Sequence, residues 1–443
     1  MIIIMKKIVL FILLMLPLTA SAQWNPNYNE IGGLWYYLDK ITNEATVVQQ
    51  PGMLWNLNTP ATVNIPATVE YEGVSYPVTK IERNAFFGNT KIMNFTIPNS
   101  VRFIGQYAFH NTGWYYSQPD ETCLYLDDWF LDTPRKYYTN QRSLNISEGT
   151  RGIAERALGN FSFITSITMP NSLIYINDYA FEDCKSLTSI DIPNGVTEIG
   201  YSAFSGLDSI KAIDIPISVT KIGFGAFSGC ESVEKIRVAD DNENYDSRDN
   251  CNAIIEKSTN KLVSGCKNTV IPNSVTKIGE NAFSGCRSLT SIVVPNSVTK
   301  ILEYAFSGCI NLNSAIVGNG VTEIGGSAFA GCHYLHHFYC YAETPPSLLT
   351  DWTGRNKAFE DYSWSSHYVL HVLKGSLNKY SNSAWKKFFG SIVPLTASDP
   401  TSGIEESPTV KHQRDHIYTL SGQRVTNPKP GIYIQGGRKI VIK

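Results

Sequence analysis

"GCHYLHHFYC", residues 331–340, puts two cysteines and three histidines within ten positions. Thiolates and imidazoles are the ligands of a zinc site, so the stretch invites a metal reading. Its phase argues otherwise. Cys332, Leu335, Phe338 and Cys340 fall where a core is expected, and His337 falls where the chain should face outward. Groups on opposite faces of a strand cannot share an ion. "DDNENYD", residues 240–246, partly fits a calcium loop through Asp240, Asn242 and Asn244. Tyr245 stands where the loop needs glycine and Cys251 where it needs a bidentate glutamate, so these read as polar turn residues. Asp127-Asp128 beside Trp129 offers two carboxylates, the equipment of a glycosidase. Neighbours on a strand diverge, and the pair is not assigned a reaction. The nucleophile elbow, the zinc-protease helix, the P-loop and the dinucleotide fingerprint do not occur in the contexts they require. No catalytic residue, metal or cofactor is therefore assigned, and the chain reads as a non-enzyme.

The elements that carry these residues repeat. Pro272-Asn273-Ser274-Val275-Thr276-Lys277-Ile278 returns as Pro295-Asn296-Ser297-Val298-Thr299-Lys300-Ile301, 23 residues later. An Ala-Phe pair keeps the phase. Its aromatic falls at Phe86, Phe109, Phe181, Phe204, Phe227, Phe283, Phe306 and Phe329, with Leu158 standing in once. Two steps are longer, 49 and 56 residues, and mark inserts at about 113–149 and 240–270. A period of this size over some 250 residues is the signature of a solenoid.

Each unit reads physically. In "LTSIVVP" Leu289, Ile292 and Val294 alternate with Ser291 and Val293, the pattern of a half-buried strand. Pro295 ends the pairing and Asn296 suits a turn. Val298 and Ile301 then point inward from a second short strand. A glycine follows the isoleucine at Gly105, Gly200, Gly223, Gly279 and Gly325, where a left-handed residue is expected to turn the chain into the Ala-Phe corner. Asn177 could take that conformation, but Leu302 fits it poorly.

The repeated I-P-x-S-V-T-x-I-G-x-x-A-F-x-G-C-x-S-L-T-S-I pattern resembles bacterial leucine-rich repeats of the BspA-like type, over roughly residues 60–340. The fold class that follows is a repeat solenoid, mainly β with short helical turns: 23-residue leucine-rich repeats with β-hairpin inserts and β-rich caps. Residues 23–62 resemble the family's N-terminal β cap and 341–395 its C-terminal cap, both rich in Trp and Tyr. The array occupies 63–340. The inserts are expected to be hairpins looping out of it. In the second, an unbulged hairpin turning at Ser258-Thr259 would pair Ile254 with Val263 and Glu256 with Lys261, and would set Cys251 opposite Cys266 as a disulfide candidate.

The ends bear on location. Lys6, Lys7, an apolar run from Ile8 to Leu18 and Ala20-Ser21-Ala22 make residues 1–22 a signal peptide, whether Met1 or Met5 starts the chain. No later stretch is apolar enough to span a bilayer. A polar linker, 396–412, leads to a basic β tail, 413–443, whose "YTLSGQRV" and "GIYI…RKIVIK" resemble a short type IX sorting domain. The expected location is extracellular or the bacterial surface. Of nine cysteines at least one must be unpaired, and the ladder Cys184, Cys230, Cys286, Cys309 and Cys332 is expected as buried free thiols.

A net charge of −2 gives no footing for nucleic acid. What remains is surface. Outward first-strand positions are Thr96, Thr168, Asp191, Asp214, Arg237, Val293, Ile316 and Tyr339. On the second strand Lys80, Lys221, Lys277 and Lys300 face Glu198 and Glu323. Repeat proteins bind partners with such displayed stripes. The binding candidates are Thr168, Asp191, Asp214, Arg237, Val293, Ile316 and Tyr339. The resemblance implies adhesion to host matrix proteins or other cells. The alternative is extracellular glycan binding, which three or more coplanar exposed rings would favour. An enzyme would need a pocket of converging polar groups at an insert.

Overall fold

The computed structural model describes residues 28–50, 60–133, 142–350, 358–359, 368–396 and 398–400, with the backbone of four short strands between Ile417 and Ile442. The expected signal peptide and most of the linker lie outside the described residues. The fold is a mostly-strand β-solenoid. The chain falls into two compact units, one reaching Tyr138 and including Gly149–Ala157, the other comprising Thr139–Glu148 and everything from Leu158 onward. The boundary coincides with the coil in which leucine replaces phenylalanine.

The first unit opens with three antiparallel strands, Tyr28–Ile31, Leu34–Asp39 and Glu44–Val48. The third pairs in parallel with Val74–Ile81, which pairs in parallel with Phe103–Ile104. At Glu44–Val48 the pairing changes from antiparallel to parallel.

In the second unit the alternation reads as expected. Strand Ser291–Val294 buries Ile292 and Val294, and pairs in parallel with Ser314–Val317, which pairs with His337–Cys340. The second-strand ladder runs Lys277–Ile278, Lys300–Ile301, Glu323–Ile324, again in register 23 residues apart. At the corner the phenylalanine rings stack: Phe283 on Phe306 and Phe306 on Phe329 at 5.0 Å between centroids, tilted 11° each. A single coil could not bury these rings. Each becomes core because the next coil covers it.

The cysteines belong to that core. Cys184, Cys230, Cys309 and Cys332 each direct Sγ at the carbonyl of the residue 26 before, at 3.1–3.2 Å. Thiols thus fill space beside the rings and donate to a carbonyl on the neighbouring coil. Burial pushes Cys184, Cys230 and Cys286 up to about 12, so they carry no nucleophile at neutral pH. All nine cysteines are free.

The left-handed residue is not the glycine after the isoleucine. It sits two positions later, at Tyr107, Tyr179 and Tyr304 among others, with φ of 60°, 56° and 56°. The peptide N–H there reaches across to the next coil, as Tyr179 does to the Tyr201 carbonyl at 2.8 Å. The glycine answers to space instead. A Cβ on Gly223 would lie 2.4 Å from the Tyr201 nitrogen, and one on Gly325 would lie 2.5 Å from the Glu303 nitrogen. Leu302 holds the same place without a left-handed backbone, which removes the difficulty its side chain posed.

Among the described residues the inserts do not loop out. Each is a hairpin with one arm built into the second-strand ladder: Trp129–Asp132 pairs in parallel with Gly152–Ile153, and Lys261–Gly265 with Lys277–Ile278. At each arm a glycine meets an aromatic ring, the arm supplying the ring in the first insert and the glycine in the second. Gly152 lies against the Trp129 ring, and Gly265 against Phe283. In the second hairpin Glu256 pairs with Lys261 as expected, but a bulge between Ile254 and Ile255 sets Ile254 opposite Ser264. That one-residue slip takes Cys251 out of line with Cys266. The two are not bonded: Cys251 Sγ lies 3.8 Å from the Ala253 carbonyl, and Cys266 Sγ 3.6 Å from that of Asn252.

The first-strand sheet ends with Val369–Val372 and Ser391–Pro394 added in parallel to His337–Cys340. Between them, the helix Leu377–Ser381 and the turn Ala384–Lys387 bury Tyr380 and Trp385. Trp385 lies 5.8 Å from Phe338 and 5.5 Å from Phe359, closing the last apolar layer. The tail strands form a four-stranded antiparallel sheet.

Candidate binding face

Parallel strands Ala212–Ile215 and Lys235–Val238 alternate buried and exposed residues. Their registry sets Asp214 opposite Arg237. The guanidinium closes on the carboxylate in a fork, Nε to Oδ1 at 2.6 Å and Nη2 to Oδ2 at 3.3 Å. The hydrogen bond and charge of Asp214 hold Arg237 still more firmly protonated. Both side chains are 58% exposed, so the pair is displayed. An exposed pair of this kind adds little to stability.

Asp191, one coil earlier, and Thr168, another coil back, are also exposed. Asp191, Asp214 and Arg237 line a groove of about 380 Å³ where the strands run into their proline turns. Ile190, Ile215 and Val238 form its floor, and Asn194 and Asp240 its rim. Three carboxylates against one guanidinium leave the groove acidic. Asn194 and Asp240 were not among the sequence candidates. Their signal was the proximity of a turn to the displayed stripe: Asn194 follows Pro193, and Asp240 follows the strand Lys235–Val238 by two residues.

The remaining candidates lie elsewhere. Val293, Ile316 and Tyr339 belong to the five-stranded sheet that ends at Ser391–Pro394. Ile316 was expected outward on display, yet it is only 8% exposed. It lies between Val293 and Tyr339 in the register, and Tyr339 stacks on His371 at 4.3 Å. Large outward side chains on successive rungs cover one another. Asp399 lies 3.9 Å from His371, and Tyr341 donates to the Pro400 carbonyl at 3.2 Å, so residues after the last strand return to this face.

The chemical candidates take structural places. Cys332 and Cys340 are buried, while His337 meets His371 on the outer face, Nδ1 to Nε2 at 3.1 Å. No group of three or more metal-ligating side chains occurs among the described residues. Asn242 is fully buried, donates to the Pro216 and Val219 carbonyls and accepts from the Asn244 and Tyr245 N–H groups. Asp127 and Asp128 form a hairpin turn rather than a strand, and still diverge: Asp127 accepts from the Ile97 N–H at 2.7 Å, and Asp128 grips Arg151 at 2.6 Å. On the second strand Lys221 pairs with Glu198 at 3.4 Å and Lys300 with Glu323 at 2.8 Å. No helix among the described residues is long and apolar enough to cross a membrane.

Residues 68–124, 136–255 and 253–348 match the family described as BspA type leucine-rich repeat region, in 6 copies. Among solved structures, the chain is similar to a leucine-rich cell surface protein from Faecalibacterium prausnitzii. The identity is 24% and the TM-score 0.40, over 85% of this chain and 96% of that one. A leucine-rich repeat protein from Eubacterium ventriosum matches at 20% identity and TM-score 0.45, over 83% and 84%. The pneumococcal vaccine antigen PcpA matches at 13% identity and TM-score 0.39, over 83% and 99%. No curated protein matches.

Proposed function

The chain belongs to the BspA-type leucine-rich repeat family, and from that premise we propose that it is an extracellular or cell-surface binding scaffold. Proteins of this family are typically surface-exposed or secreted, and repeat proteins of this kind generally bind macromolecules rather than catalyse reactions. Its partners are extracellular proteins, and its role is adhesion to matrix or to other cells. The acidic groove around Asp191, Asp214 and Arg237 is the contact face. The observation that carries this reading is the exposed Asp214–Arg237 fork on the rim of an apolar-floored groove. Fold stability does not need the fork, whereas a partner's donors and acceptors could use both its charges.

Glycan binding has weaker support. The phenylalanine rings that stack at small angles, such as Phe181 on Phe204 at 8°, are buried, whereas the Tyr179–Tyr201 pair near the surface meets edge-on at 72°. The deciding experiment is surface plasmon resonance of the full chain against matrix proteins and glycans, beside a variant with Asp191, Asp214 and Arg237 changed to Ala. Saturable binding to a protein, weakened roughly tenfold in the variant, is the expected result. Binding to glycans alone, or protein binding indifferent to the three changes, overturns the assignment.

A further inference from the structure

The second insert does more than occupy a strand position. It omits one Ala-Phe corner, so the corner of Phe227 stacks directly on that of Phe283. Gly229 donates to the Ser284 carbonyl at 2.8 Å, and Ser228 Oγ to the Asn281 carbonyl at 3.3 Å. Residues 56 apart in sequence thereby become neighbours on the corner edge. Tyr201, Phe224, Glu280 and Glu303 form one row: Ser202 N–H bonds the Phe224 carbonyl at 3.1 Å, and Asn281 N–H the Glu303 carbonyl at 3.1 Å. Two rings are followed by two carboxylates, on rungs about 4.8 Å apart.

This row opens into a groove of about 590 Å³, with Tyr304 on the next position and Leu302 and Leu349 as its aliphatic lining. Tyr201, Phe224 and Leu349 are 37%, 53% and 42% exposed, unusual for side chains that could have been polar at no cost to the core. The lining holds two carboxylates and no Lys or Arg. Glu280 Oε2 is shut off from water and has no hydrogen-bond partner. A carboxylate half-withdrawn from water keeps its charge poorly screened, which favours a cation at the open side of the groove.

We propose that this corner groove is a second binding site, one that takes a Lys or Arg side chain from an extended segment of a partner protein. The alkyl stem lies along Leu302, and the cationic head sits between the rings and the carboxylates of Glu280 and Glu303. The same surface already shows the chemistry: the Lys261 ammonium lies 5.9 Å from the centre of the Phe224 ring. A neutral sugar would want a flat ring platform, and would leave two carboxylates without a countercharge.

The test is isothermal titration calorimetry of the full chain with the peptide acetyl-Ala-Arg-Ala-Arg-Ala-amide. The same peptide with citrulline for arginine and a neutral tetrasaccharide run as comparisons. The arginine peptide should bind weakly but saturably, and the citrulline peptide roughly tenfold more weakly. Phe224→Ala and Glu303→Gln should each weaken it roughly two- to fivefold, and the triple change with Glu280→Gln tenfold or more. Thermal unfolding no lower than that of wild type would confirm that the variants are folded. The variant lacking Asp191, Asp214 and Arg237 should bind the peptide normally, so failure here and failure of the first groove are separable. The proposal is overturned by equal binding of the citrulline peptide, by arginine-peptide binding indifferent to Phe224 and Glu303, by binding of the tetrasaccharide alone, or by no binding at all.

Discussion

His371 is held as a neutral ring by its surroundings. Burial lowers its affinity for a proton, the Asp399 carboxylate opposes that shift, and His337 adds to it. The direction fixes the pH response. The unfolded chain takes up a proton near the ordinary histidine value of 6.5, while the folded chain resists until lower pH. The stabilisation is therefore complete above that value and lost as pH falls from it toward the lowered one. Thermal unfolding followed from pH 7.5 to 5 should show this loss, and His371→Gln should remove that component of the slope. Asp399→Asn should steepen it, because the one opposing charge is gone. Identical slopes in wild type and His371→Gln would refute the assignment. The cysteines show residue chemistry of another kind. A thiol raised to about 12 beside a stacked ring is a packing atom with one weak donor, and its carbonyl partner on the neighbouring coil explains why the position is not simply alanine.

At the scale of the element, the coil is governed by close approach. Gly223→Ala would drive a Cβ into the Tyr201 nitrogen at 2.4 Å and the Gly200 carbonyl carbon at 2.5 Å, both of them backbone atoms that cannot rotate away. We expect a loss of about 1–3 kcal/mol in urea unfolding. Gly375→Ala meets nothing within 4 Å and should change little, which separates crowding from any general effect of replacing glycine. Equal effects at the two sites would contradict the account. The same contrast shows what could be read in advance. Inward positions such as Ile292, Val294 and Ile301 follow from alternation and a 23-residue phase, because burial repeats with the coil. The role of Gly223 does not, since handedness and lack of room both select glycine and leave the same letter. The hairpin arms were legible as hairpins, but their parallel partners Gly152–Ile153 and Lys277–Ile278 lie beyond any local pattern. Asp191, Asp214 and Arg237 are exposed, as outward positions of an alternating pattern should be. Ile316 is not, because its cover is supplied by neighbouring rungs rather than by its own strand.

For the whole molecule, a solenoid differs from a globule in how damage spreads. Each coil touches only its neighbours, so stability is nearly a sum of coil and interface terms, and an end is the natural place for unravelling to start. In the second unit the end is closed by Trp385, fully buried, stacked on Phe389 at 5.9 Å and tied by its indole N–H to the Pro346 carbonyl at 2.9 Å. Trp385→Ala removes a ring from contact with Phe338 and Phe359 and should cost about 3–5 kcal/mol. A globular core would distribute that loss over all its amides at once. Here it should be graded. In native-state hydrogen exchange, protection should fall most in Val369–Val372 and Ser391–Pro394, less in His337–Cys340 and Ser314–Val317, and hardly at all in Ala212–Ile215. The strands of the first unit, such as Val74–Ile81, should keep theirs. A uniform fall across both units would mean that the array unfolds as one cooperative body, and that nearest-neighbour stacking is the wrong description of its stability. The graded result would also protect the first binding assignment. The Asp214–Arg237 fork lies several coils from the cap, so a variant frayed at Trp385 should still bind through it, and its affinity there should track that site rather than its melting temperature.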